Sequence, residues 1–262
     1  SFKIHQAKFI QERLRPIPIV RGRASDKEAL TTDAEKSMLR AALGSTNWVQ
    51  RESRLDAAAD SSLLMSRLNV STVQDLCDCN TMIKRLQDDP FLGIILPAIP
   101  LKDVRWATIQ DASWNNVKDG HSQAGYIAGV TTHDLWLNKE APFGILSFRS
   151  HKLPRKVPST LAAESQSMSE STAEIEWLRG LFEELTNPEF TIANWRKYTR
   201  HRGLLTAARS IDPDKKLQKY LSITDAKSLY DHLKNETAGI ANDRRVAIDI
   251  QIWTCVHVPV YP

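Results

Sequence analysis

Three acidic side chains, Asp111, Glu164 and Asp225, stand where regular elements are expected to meet. Carboxylate oxygens are the natural ligands of Mg²⁺, and three of them at one point repel one another unless cations neutralise the charge. Asp111 closes an apolar run in which Ala107 and Ile109 share its face, so its carboxylate is expected to leave a sheet beside the core. Asp225 repeats that arrangement behind Leu221 and Ile223, directly ahead of a helix. Glu164 opens a helical stripe that continues through Met168, Ser171, Ile175, Leu178 and Phe182. A glutamate on a core-facing stripe costs several kcal/mol unless it is paired or holds a metal. Taken singly, each acid also fits a helix cap, a turn or a buried ion pair. What favours a site is that all three reach the edge of one sheet.

The elements that would position them can be read from periodicity. Residues 31–87 have helical spacing, with Met38, Ala41 and Ala42, then Leu63, Leu64 and Leu68, then Met82, Ile83 and Leu86 recurring, and with Thr32 or Asp33 as the cap. Pro90, Gly93, Pro97 and Pro100 break that pattern and mark a linker over 91–102. The first residues, Ser1 to Gln6, read as a strand entered midway. Beyond the linker the period changes to that of strands at 104–110, 124–130 and 143–149, followed by a long helix at 159–185 that Pro158 introduces. An irregular basic stretch covers 187–219; a strand at 221–225 and helices at 226–233 and 243–253 follow. Three strands, a helix, a strand and further helices describe an α/β or α+β sheet domain behind a mostly helical segment.

The chain has 262 residues, 42% hydrophobic and 25% charged, a globular composition. Its longest apolar stretch, 91–101, is interrupted by two prolines and falls short of the ~20 residues of a spanning helix, so no membrane segment is expected. Cys77, Cys79 and Cys255 do not make a disulfide framework; they read as packing residues of an intracellular protein in a reducing compartment, cytoplasm or nucleus. A formal charge of +4 permits a polyanionic partner. Arg149, His151, Lys152, Arg155 and Lys156 form one basic group, and Lys197, Arg200, His201 and Arg202 a second; either is a solvated loop or a phosphate-binding surface.

Several of these residues form a pattern. Asp111-Ala112-Ser113-Trp114, Ser122-Gln123-Ala124-Gly125-Tyr126, Ser147-Phe148-Arg149-Ser150-His151-Lys152, Ser159-Thr160-Leu161-Ala162-Ala163-Glu164 and Thr224-Asp225-Ala226-Lys227-Ser228-Leu229 together resemble the ribonuclease H domain of copia-type LTR retrotransposon Pol polyproteins. Upstream, Leu43-Gly44-Ser45-Thr46-Asn47-Trp48, Arg54-Leu55-Asp56 and Leu63-Leu64-Met65-Ser66-Arg67 resemble the helical end of the same family's reverse transcriptase, although the family usually has proline where Leu55 stands. The resemblance implies a ribonuclease H-like α/β fold, a mixed sheet flanked by helices, at 103–262. It implies a thumb- or connection-like reverse transcriptase end at 1–90. The run after Trp253 matches neither of the family's continuations, so the domain is expected to be truncated or aberrant there.

The same resemblance implies hydrolysis of the RNA strand of RNA-DNA hybrids by two Mg²⁺ ions, with Mn²⁺ as a substitute, held about 3.5–4 Å apart. It carries catalytic and metal-binding roles to Asp111, Glu164 and Asp225, with Asp249 as the best candidate for a fourth acid that the family's later alanine-aspartate motif could equally supply, and makes the remainder of the polyprotein a partner. RNA would be recognised through its 2′-hydroxyls in a shallow minor groove. Polymerase activity is not expected, because the one adjacent aspartate pair, Asp88-Asp89, precedes Pro90 and reads as a turn. Transposases and integrases share the chemistry but usually place the glutamate last, whereas here it comes second. A degenerate or repurposed copy, acting as a nucleic-acid-binding or structural module without cutting, is the alternative.

Overall fold

The computed structural model describes residues 1–117, 120–186, 188, 190–191 and 220–234. The chain divides into two compact units. The first contains Ser1–Leu96, Asn115–Gln123 and Phe148–Lys156; the second contains Pro97–Trp114, Ala124–Ser147 and the described part of Val157–Pro262.

The first unit is mainly helical: β1 (Phe2–Ile4), α1 (Ala7–Arg13), α2 (Asp33–Glu52), α3 (Ala58–Arg67), α4 (Val73–Asp88) and β2 (Ile94–Leu96). A capping box starts α2, in which the Glu35 N–H donates to Thr32 Oγ1 at 3.2 Å and the Thr32 N–H donates to Glu35 Oε2 at 2.8 Å. Thr32 is therefore the cap, and Asp33 is the first helical residue. Leu39, Leu43, Leu76, Met82, Ile83 and Leu86 pack together as the helical core. The side chain of Arg54 is buried where α2 gives way to α3. It grips Asp56 through two nitrogens and donates to the carbonyls of Leu86 and Asp89. Asp88 ends α4, and the Leu92 N–H bonds back to Asp89, which forms a turn. The segment expected as a linker contains β2, which pairs antiparallel with β1 in the register Phe2↔Leu96 and Ile4↔Ile94, and a helical turn at Leu101–Asp103.

The second unit is built on strands β3 (Arg105–Ser113), β4 (Gln123–Thr131), β5 (Gly144–Lys152) and β6 (Tyr220–Ile223), with helices α5 (Thr160–Thr186) and α6 (Lys227–Lys234). Gln123 of β4 and residues 148–152 of β5 are grouped with the first unit. The sheet order is β5-β4-β3-β6, and β6 lies parallel to β3 with Trp106 opposite Tyr220 and Ile109 opposite Ile223. A parallel neighbour requires a crossover, and α5 lies within it. The chain is thus mixed α/β with helices packed on a sheet. Trp106, Tyr126, Ala128, Met168, Ile175 and Tyr220 fill the core, with the Phe182 ring edge-on to Trp106. Among the described residues no helix is long and apolar enough to cross a membrane.

Candidate metal centre

Asp111 sits near the end of β3, and the parallel register sets its counterpart. Ile109 pairs with Ile223, so two residues further along, Asp111 and Asp225 leave neighbouring strands at the same level. β6 itself ends at Ile223, and Asp225 lies in the short connection to α6 rather than on the strand as expected. Glu164 arrives from α5, one turn into the helix. One ligand oxygen from each of Asp111, Glu164 and Asp225 can be chosen so that all three lie within 4.8 Å of one another. The two aspartates are exposed, whereas Glu164 is only 3% exposed.

One feature of the strand differs from expectation. Ile109, on the face of Asp111, is 39% exposed, while the buried side chains of β3 include Trp106, Thr108, Gln110 and Ala112. Alternation shows that Asp111 and Ile109 share a face, but both faces carry apolar residues, and the large Trp106 ring determines which one packs into the core. Asp111 is therefore open to solvent while its carboxylate stays beside the buried Glu164. The stripe on α5 is where periodicity placed it: Glu164, Met168, Ser171 and Ile175 are buried, and Leu178 and Phe182 pack on the same cluster.

Two contacts fix α5 against β3. The Ala112 N–H donates to Glu164 Oε1 at 3.3 Å, and the Ser167 hydroxyl lies 3.0 Å from the Asp111 carbonyl and 3.2 Å from that of Gly125. Glu164 Oε2 is buried and has no hydrogen-bond partner. Burial first, and then the neighbouring charges of Asp111 and Asp225, push the Glu164 carboxyl up to about 7, only partly opposed by the Ala112 N–H. Among the described residues no cation pairs with any of the three acids. A buried glutamate with one orphaned oxygen, clustered with two exposed carboxylates, is a donor set suited to a hard divalent cation.

No family model, curated protein or solved structure matches this chain. The site must be argued from its own geometry.

Asp249, the expected fourth acid, lies outside the described residues, as do Lys197, Arg200, His201 and Arg202, the helix at 243–253, and Cys255. Arg149, Arg155 and Lys156 are exposed, and His151 and Lys152 are half-buried. This basic group belongs to the first unit's segments, whereas the three acids belong to the second. Cys79 is buried in the helical core, where burial pushes its thiol up to about 12, so it is held as an inert thiol; Cys77 is half-buried. Among the described residues the three acids are the one metal-type cluster of histidine, cysteine, aspartate or glutamate side chains.

Two features went unread in the sequence. Every residue from 162 to 168 is buried, so the start of α5 is enclosed on all sides rather than along one stripe. The signal was its small residues, Ala162, Ala163, Ser165 and Ser167, which allow close approach to β3. The second is Trp114, half exposed, whose indole N–H donates to the Val157 carbonyl at 3.1 Å. Nothing in local periodicity points to that long-range bond.

Proposed function

We propose that this chain carries a ribonuclease H-type nuclease of a copia-type retroelement polyprotein, hydrolysing the RNA strand of RNA-DNA hybrids with divalent cations held by Asp111, Glu164 and Asp225. The observation that carries the reading is the buried, unpartnered Glu164 Oε2 beside two exposed aspartates. A structural acid in that position would be expected to have a partner. The order aspartate, glutamate, aspartate, with the first on β3 and the last just beyond the end of its parallel neighbour β6, supports this reading over the integrase arrangement.

Each residue has a distinct task in this reading. Asp111 and Asp225 face solvent, where a phosphodiester can reach them. Glu164 is anchored through Oε1 to the Ala112 N–H, which leaves Oε2 for a cation, and Ser167 holds the helix turn that presents it. The enclosed start of α5 keeps water away from the far side of Glu164. The donor set fits Mg²⁺ or Mn²⁺, which when bound supplies water activation and stabilisation of the leaving oxygen. The exposed basic side chains Arg149, Arg155 and Lys156 suit contact with phosphates along the hybrid.

The test is cleavage of a labelled RNA-DNA hybrid with Mg²⁺, alongside duplex DNA of the same sequence. The expected result is RNA-strand cutting that requires the metal and is lost in Asp111→Asn, with duplex DNA untouched. Protein that binds the hybrid but leaves it intact in both Mg²⁺ and Mn²⁺ would overturn the nuclease reading and leave a nucleic-acid-binding module.

A further inference from the structure

Trp114 has no role in the acid cluster, and it is the large aromatic side chain nearest to Asp111 in sequence on that strand's outlet. It is 48% exposed. Its ring is nevertheless fixed, because Nε1–H donates to the carbonyl of Val157 at 3.1 Å. That bond ties the outlet of β3, which carries Asp111, to the chain entering α5, which carries Glu164. The edge that makes the hydrogen bond is used, and about half of the residue stays open to solvent. Trp114 lies three positions beyond Asp111, at most about 11 Å of chain, or roughly three nucleotides of a strand rising ~3.4 Å per residue.

We infer that the exposed face of Trp114 is a contact surface for the nucleic-acid strand being cut, packing on its ribose and base edges and setting where the phosphodiester lies relative to the three acids. A flat, pre-oriented apolar ring loses little conformational entropy on binding and reads no sequence, as a nuclease acting along a whole hybrid requires. This rests on the nuclease reading for its consequence, but the binding contact can be tested without it. The competing explanation is purely architectural: the hydrogen bond to Val157 latches two segments, and the exposed face is incidental.

The two explanations separate on substitution. Trp114→Phe keeps an aromatic face and loses the N–H; Trp114→Ala loses both. In the non-cutting Asp111→Asn chain, affinity for a fluorescent RNA-DNA hybrid is measured by anisotropy, and tryptophan emission is followed as unlabelled hybrid is added. A contact role predicts affinity within about twofold for Phe and about tenfold weaker for Ala. It also predicts that part of the hybrid-induced quenching disappears in Trp114→Phe. In the cutting chain, the alanine variant should raise KM more than it lowers kcat. Equal affinity in all three proteins, or unchanged quenching in Trp114→Phe, overturns the inference. Equal losses in Phe and Ala assign Trp114 to the latch and overturn it too. If the alanine variant fails to fold, the quenching comparison still decides. Absence of cleavage by the parent chain with the binding differences intact sinks the nuclease reading and leaves the Trp114 contact standing.

Discussion

At the scale of single residues, Glu164 makes a measurable claim about pH. Its carboxyl titrates at about 7 in the folded chain, well above an ordinary glutamate, because burial and two neighbouring aspartates disfavour its charge. The folded state therefore holds the proton more tightly than the unfolded state. The corresponding stability is fully present below about pH 4.5 and is lost as pH rises through about 7. Integrated, the loss is of order 3 kcal/mol at ~1.36 kcal/mol for each tenfold change in proton affinity. Without divalent metal, the melting temperature of wild type should fall between pH 5 and pH 8 by several degrees more than that of Glu164→Gln. Millimolar Mg²⁺ should restore the wild type at pH 8 and leave the glutamine variant unmoved. Parallel pH profiles for the two proteins, measured by calorimetry, would show that Glu164 is satisfied in some other way. The burial of Glu164 was legible in sequence, because a charged residue heading an apolar stripe is conspicuous. The exposure of Asp111 was not, because both faces of β3 carry apolar residues, and it is the face with Trp106 that packs into the core.

At the scale of elements, strands and helices were legible where they alternate or recur, and less so where pairing is long-range. The stripe of α5 and the three strands β3, β4 and β5 each carry their period locally. The β1–β2 ribbon does not, since Ile94, Ile95 and Leu96 among prolines look like linker until Phe2, Lys3 and Ile4 supply the partner. Glycines record the same distinction. A methyl on Gly129 of β4 would collide with the carbonyl oxygen of Gly144, a backbone atom that cannot swing aside. Gly44, exposed on α2, has nothing within 4 Å of such a methyl. Gly129→Ala should therefore cost about 1–3 kcal/mol by overpacking, and Gly44→Ala should gain about 0.5–1 kcal/mol from helix propensity. Urea denaturation of both variants checks the pair, and a stable Gly129→Ala protein would mean that β4 and β5 can separate at that point. Residue type alone does not separate the two; their neighbours in space do.

At the scale of the whole molecule, a formal charge of +4 is too small to bind nucleic acid by itself, so any affinity must come from how the charge is distributed. Arg149, Lys152, Arg155 and Lys156 lie within eight positions at the end of β5 and just beyond it, and Arg149, Arg155 and Lys156 are exposed. If they meet phosphates, each contact releases condensed counterions, and the logarithm of the binding constant falls with the logarithm of salt in proportion to their number. Replacing all four by glutamine in the Asp111→Asn chain should weaken binding of an RNA-DNA hybrid regardless of its sequence. It should also flatten the salt dependence by about one in slope for each phosphate contact removed. The measurement is a series of anisotropy titrations from low to physiological salt. Weaker binding with an unchanged slope would point to a fold or contact effect instead of a phosphate track. Unchanged affinity and slope would assign the group to solvent and move the polyanion surface elsewhere on the chain. Because Trp114 contributes packing and not charge, Trp114→Ala should shift the same plot downward without altering its slope, so one set of titrations distinguishes the two kinds of contact.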